Sequence, residues 1–105
     1  MVREATIKKK ARDILEKDGY ITWCPANVKY HQSDIFGVFD CVAVKKGEGE
    51  YVASDQLRYI QWTSKSNLSA RRKKILAFFD ENNLWIPCEI WGWDDDKKKF
   101  KIEQL

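Results

Sequence analysis

The spacing of apolar residues divides the chain into elements. Ile7, Ala11, Ile14 and Leu15 recur at i, i+4, i+7 and i+8, the stripe of a helix that buries one face. Gly19 supplies its C-terminal stop, with Tyr20 beyond it. Ile21, Thr22, Trp23 and Cys24 alternate and are closed by Pro25, which has no amide to give to a sheet ladder, so they read as a strand. Residues 26–33 lack a period and read as a loop. From Asp34 the chain runs DIFGVFDCVAVKKG, and residues 39–44 within it are apolar on both faces, as a central strand of a covered sheet would be. The polar stretch 47–54 reads as a second loop.

The next strand begins at Leu57. Leu57, Tyr59, Gln61 and Thr63 fall on one face of it, and Arg58, Ile60, Trp62 and Ser64 on the other. Ser66, Asn67 and Ser69 can cap a following helix, whose buried stripe is Leu68, Ile75, Leu76 and Phe79. Arg72 lies inside that stripe, Arg71 on its flank, and Lys73 and Lys74 point mostly outward. After Asn82 and Asn83, residues 84–93 resume strand character, residues 94–97 turn, and residues 100–105 form a last strand with Phe100 and Ile102 inward. The expected order is α-β-β-β-α-β-β, an α/β fold.

A chain of 105 residues, 44% hydrophobic and 33% charged, is expected to be one ordinary globular domain. It contains no apolar run long enough for a bilayer, and Arg3, Glu4 and Lys8 to Lys10 interrupt any signal-peptide core, so a cytoplasmic protein without a membrane partner is expected. Cys24, Cys41 and Cys88 are odd in number and lack CxxC spacing, so reduced, buried thiols are expected. With His31 as the single histidine, a Cys/His metal site or a covalent hydrolase centre has little to work with.

Charge changes the picture in one place. The net charge is +3, yet between Gln56 and Phe79 stand six cations, Arg58, Lys65, Arg71, Arg72, Lys73 and Lys74, and no acid. Cations in a first helical turn oppose the macrodipole by roughly 0.3–1 kcal/mol each. Two readings of this follow with equal weight: a phosphate lies nearby, or Arg72 pairs with a carboxylate at the core edge while the lysines are solvated.

Asp40 stands at the start of one central strand, with Gln61 and Thr63 projecting together from its neighbour. Carboxylate and amide oxygens in that relation suit a hard cation such as Mg²⁺, which activates water and neutralises phosphate. Asp34 reads as a second metal ligand or, preferably, as the cap of residues 35–38. Trp91 and Trp93 read as packing residues before they read as platforms for bases.

These segments resemble the restriction-endonuclease-like, or PD-(D/E)XK, nuclease superfamily, and in particular small archaeal Holliday-junction resolvases. The resemblance rests on the first helix ending in Asp18-Gly19-Tyr20, the strand to Cys24, the run from Asp34 to Val44 in place of the family's "PD" strand, and Tyr59-Ile60-Gln61-Trp62-Thr63 in place of its E-x-K strand. It implies a mixed β-sheet flanked by helices, Mg²⁺- or Mn²⁺-dependent cutting of DNA, and a homodimer. Gln61 stands where the family has Glu, Thr63 where it has Lys, and Phe39 where it has Pro. Lys65, Lys74 or Arg72 are the candidates to replace the missing lysine. Where resolvases carry a helix glutamate this chain has Lys8, with Glu4 one turn earlier as a stand-in.

The resulting expectation is a nuclease with Asp40, Gln61, Thr63 and Glu4 at the catalytic centre. Asp40, Gln61 and Asp34 would hold the metal, and Lys65, Arg71, Arg72 and Lys74 would contact DNA. The alternative is a catalytically degenerate nucleic-acid binder of the same fold, and the third reading is an oligomeric scaffold using the Trp-rich C-terminal hairpin.

Overall fold

In the computed structural model of the chain, which describes residues 4–25, 34–45 and 57–105, the first apolar stripe forms α1 (Glu4–Lys17). Ile7, Ala11 and Leu15 are buried, but Ile14 is 41% exposed, at the rim of a stripe whose centre runs through Ala11. The amide of Gly19 returns to the carbonyl of Glu16 at 3.1 Å and ends the helix. The loops expected at 26–33 and 47–54 lie outside the described residues.

Five strands follow: β1 (Tyr20–Trp23), β2 (Cys41–Lys45), β3 (Leu57–Ser64), β4 (Cys88–Asp94) and β5 (Lys99–Gln104). They lie in the order β1-β2-β3-β4-β5 and form a mixed sheet. Every neighbouring pair is antiparallel except β3 and β4, whose parallel pairing requires a crossover. A 3₁₀ turn (Lys65–Asn67) and helix α2 (Leu68–Asn82) supply it. Among the described residues the element order is that expected from the apolar pattern, and no helix is long and apolar enough to cross a membrane.

Strand alternation separates two cores, one on each face of the sheet. Ile7, Ala11 and Leu15 of α1 cover Cys41, Ala43, Ile60, Trp62, Trp91 and Trp93. Leu68, Ile75 and Phe79 of α2 cover Phe39, Cys88 and Ile90 on the other face. Trp91 and Trp93 are 1% and 7% exposed, so both serve packing. Gly92 is where α2 comes closest to the sheet: a Cβ there would lie 2.6 Å from Cγ of Leu68.

Several expected details are corrected. Leu76 is 44% exposed, because Leu68, Ile75 and Phe79 already fill the contact with the sheet. Asn67 takes the N-cap position of α2 but makes no side-chain capping bond. The fourth strand starts at Cys88, after Pro87 has ended any continuous ladder, and leaves Leu84 and Trp85 exposed. Ile102 is 45% exposed on the edge strand. Cys24 and Cys41 are joined by a disulfide rather than reduced. The pairing of Trp23 with Val42 brings the next residues, Cys24 and Cys41, opposite each other across β1 and β2. Cys88 remains a free, buried thiol whose pKa burial pushes up to about 11, with Glu89 nearby adding to the shift.

One buried ion pair ties β3 to β4 on the α1 face. The guanidinium of Arg58 grips Glu89 with two bonds, Nε donating to Oε2 at 2.6 Å and Nη2 to Oε1. Trp91 Nε1 donates to the same carboxylate at 3.2 Å, and the guanidinium lies over the rings of Tyr20 and Trp91. The hydrogen bond that Arg58 donates to Glu89 outweighs desolvation and holds Arg58 above its ordinary pKa.

Candidate functional site

The β2–β3 ladder ends with Cys41 opposite Ile60, and the amide of Asp40 donates to the carbonyl of Ile60 at 2.9 Å. One step further the backbone of β2 no longer faces β3. The Asp40 carboxylate takes over: Oδ2 accepts the backbone amide of Trp62 at 2.8 Å and Gln61 Nε2 at 2.7 Å. The two residues singled out in the sequence are therefore in direct contact, on the face covered by α2. Gln61 is 1% exposed, and its Oε1 is buried with no hydrogen-bond partner among the described residues. Thr63, two residues on, shares that face and is 5% exposed, opposite Gly92 of β4.

The turn leading into Asp40 sets the rim of this notch. Ile35 and Phe39 exchange backbone bonds of 2.8 and 3.0 Å, and Phe36 and Gly37 between them adopt positive φ of 54° and 74°. Asp34 opens the turn, with its backbone carbonyl accepting the amide of Gly37 at 2.9 Å. That is a turn-forming role, close to the cap reading, though carried by the main chain. Phe36 stacks on Phe78 of α2 with ring centroids 5.8 Å apart. Arg71 and Lys74 precede Phe78 at seven and four residues, so they share its flank of the helix, toward the turn and Asp40. Both are half-buried, and neither has an acidic partner among the described residues.

The other two expected DNA contacts are committed elsewhere. Arg72 reaches from the buried stripe of α2 to Glu103 of β5, with bonds of 2.8 and 3.0 Å, which is the core-edge pairing its position allowed. Lys65 pairs with Asp94 at 3.2 Å. Glu4 starts α1, so its backbone belongs to the layer on the opposite side of the sheet from Asp40 and Gln61.

As arranged, Gln61 presents its amide nitrogen to Asp40 Oδ2, which also accepts the amide of Trp62. Turning the amide over would direct Oε1 toward the carboxylate, an arrangement that is favourable only with a positive ion between them. Among the described residues no group of three or more His, Cys, Asp or Glu side chains is placed to hold a metal, and of the expected ligands Asp40, Gln61 and Asp34 it is Asp40 and Gln61 that are in direct contact.

The sequence reading passed over a second cationic group. Lys97, Lys99 and Lys101 line, with Lys65, Asp94 and Phe100, a concavity of about 380 Å³ beside the β4–β5 turn. Its signal was present in the run KKKFK, but the segment reads first as a turn. Asp94 is held below its usual pKa by the amide of Lys97, with Lys65 and the amide of Asp96 adding to the effect. No family model matches the chain, and neither a curated protein nor a solved structure matches it.

Proposed function

We propose that this α/β domain binds the phosphate backbone of nucleic acid on the α2 face of its sheet, as a catalytically reduced protein of restriction-endonuclease-like architecture. The observation that carries this reading is the contact of Asp40 with Gln61 beneath the helix flank bearing Arg71 and Lys74, two cations with no acidic partner among the described residues. Two such cations beside a strand-end notch suit adjacent phosphates. An order of α-β-β-β-α-β-β with β3 and β4 parallel is consistent with the mixed, helix-flanked sheet that the resemblance implies.

Asp40 has a structural role here: its carboxylate replaces a backbone carbonyl at the end of a ladder. Gln61 donates to that carboxylate through its amide nitrogen, and Thr63 supplies no ammonium to orient water. A second reading, Mg²⁺-assisted phosphodiester hydrolysis, is favoured by one observation, the buried Oε1 of Gln61 without a partner among the described residues. In that reading Asp40 and a reversed Gln61 amide would hold the ion, with water and substrate phosphate completing its shell. When bound, the ion would supply Lewis-acid activation of the phosphodiester.

Binding of a fluorescent DNA duplex, measured across a salt series, tests the first reading. Wild type is expected to weaken steeply with salt, and Arg71→Ala/Lys74→Ala to lose about 0.9 from the slope per lost phosphate contact. A salt-independent affinity, or an unchanged slope, would remove this interface. Incubating plasmid with Mg²⁺ or Mn²⁺ decides the second reading: nicking by wild type and not by Asp40→Ala would replace the binder with a nuclease.

A further inference from the structure

The lysine-lined concavity lies on the other side of α2 from the Asp40 notch. The notch sits between the ends of β2 and β3, under the flank that carries Phe78, whereas the concavity sits beside β4 and β5. Alternation along β5 directs Lys99, Lys101 and Glu103 to the same face, and the grip of Arg72 on Glu103 identifies it as the α2 face. Lys97 joins them from the turn.

The charge balance around this space is uneven. Among the described residues Asp94 is the one acid lining it, and its carboxylate is already engaged: Oδ2 takes Lys65 at 3.2 Å, and Oδ1 takes the amides of Asp96 and Lys97 at 3.1 Å each. Asp95 pairs with Lys98 at 2.8 Å, and Asp95 and Asp96 line a neighbouring concavity with Ser64, Ser66 and Trp93. Lys97, Lys99 and Lys101 have no acidic partner among the described residues. Like charges that line one concavity repel one another, screened over a Debye length of about 8 Å at physiological salt, and an anion between them offsets that repulsion. Three lysines lining a space of about 380 Å³, large enough for a phosphate, make that anion the natural occupant.

We propose that the concavity bordered by Lys65, Lys97, Lys99 and Lys101 is a phosphate-binding subsite that takes a second stretch of nucleic-acid backbone, on the opposite side of α2 from Arg71 and Lys74. The Lys65–Asp94 pair forms its fixed wall, and the three β5-side ammoniums supply the neutralising charge. Phosphate binding at this place stands on the lysines alone; its assignment to a polynucleotide rests on the function proposed above.

The test uses the full chain, labelled with ¹⁵N, and two probes. Inorganic pyrophosphate at low salt is expected to give saturable amide shifts concentrated at residues 65 and 97–101, at least tenfold weaker in Lys97→Gln/Lys99→Gln/Lys101→Gln, which keeps most of each aliphatic stem. Shifts spread evenly over the chain, or equal in both proteins, would overturn the subsite and leave a solvated lysine face. A single-stranded or duplex oligonucleotide is the second probe. The triple variant is expected to lower the slope of log affinity against log salt by roughly 2–3, near 0.7–0.9 per lost contact. An unchanged slope overturns nucleic acid as the occupant. Wild type that binds pyrophosphate but no oligonucleotide upholds the subsite for free phosphate and overturns the proposed function separately.

Discussion

Asp40 answers a problem set by the end of a strand. Once β2 stops at Cys41, the amide of Trp62 has no backbone acceptor on that side, and the carboxylate accepts it at 2.8 Å while also accepting Gln61 Nε2 at 2.7 Å. Replacing Gln61 by Glu would turn that donor into a second carboxylate. Two carboxylates at this separation cannot both ionise freely, so the folded state would raise the pKa of the pair above its unfolded value. The sign follows: Gln61→Glu would approach wild-type stability at pH 4 and lose about 1.4 kcal/mol at pH 7 for each unit of that rise. Mg²⁺ would restore the loss by occupying the space between the oxygens. Thermal melts of Gln61→Glu at pH 5 and 7, with and without Mg²⁺, check this. A variant as stable at pH 7 as at pH 5 without metal would mean that the two side chains are not in contact.

At the scale of elements, the crossover through α2 positions Arg71 and Lys74, and the β4–β5 hairpin positions Lys97, Lys99 and Lys101. Leu68, Ile75 and Phe79 anchor the helix, and its first turn rests on Gly92, where any side chain would meet Leu68. Gly92→Ala is expected to destabilise the fold by about 1–3 kcal/mol through overpacking. Leu68→Ala should make the same alanine nearly harmless, and a double-mutant cycle by urea unfolding reads the coupling directly. Strictly additive effects would show that α2 does not press on β4 at this point. The stripes of both helices were legible in the sequence, except at their rims. Ile14 and Leu76 carry the right residue type at the right period, yet exposure there depends on how wide a face the opposing sheet can cover, which no single helix specifies. Arg72 was legible as an arginine in need of a partner. Glu103 as that partner was not, because the two meet only after β5 folds back beside β4.

At the scale of the molecule, the Cys24–Cys41 disulfide joins β1 to β2 across a separation of 17 residues. On the chain-entropy model a loop of this size contributes about 3 kcal/mol, which for a domain of this length corresponds to roughly 14 °C in Tm. A reducing agent is expected to lower Tm by that order, and Cys24→Ser/Cys41→Ser to melt at the lower temperature with or without it. A melt indifferent to reductant in wild type would exclude the bond. An odd cysteine count spoke against a disulfide framework, and what overrode it was register, which brings two distant residues to one rung of a ladder. The amino-acid sequence alone determined which segments are helix or strand and their order, because each depends on periodicities only a few residues long, whereas the contact of Asp40 with Gln61 required the pairing of β2 with β3. Tertiary structure decided which cations remain unpaired: Lys65 and Arg72 are neutralised by acids 29 and 31 residues away, while Arg71, Lys74, Lys97, Lys99 and Lys101 have no acidic partner among the described residues. Pairing of this kind depends on distances in space that local sequence does not contain.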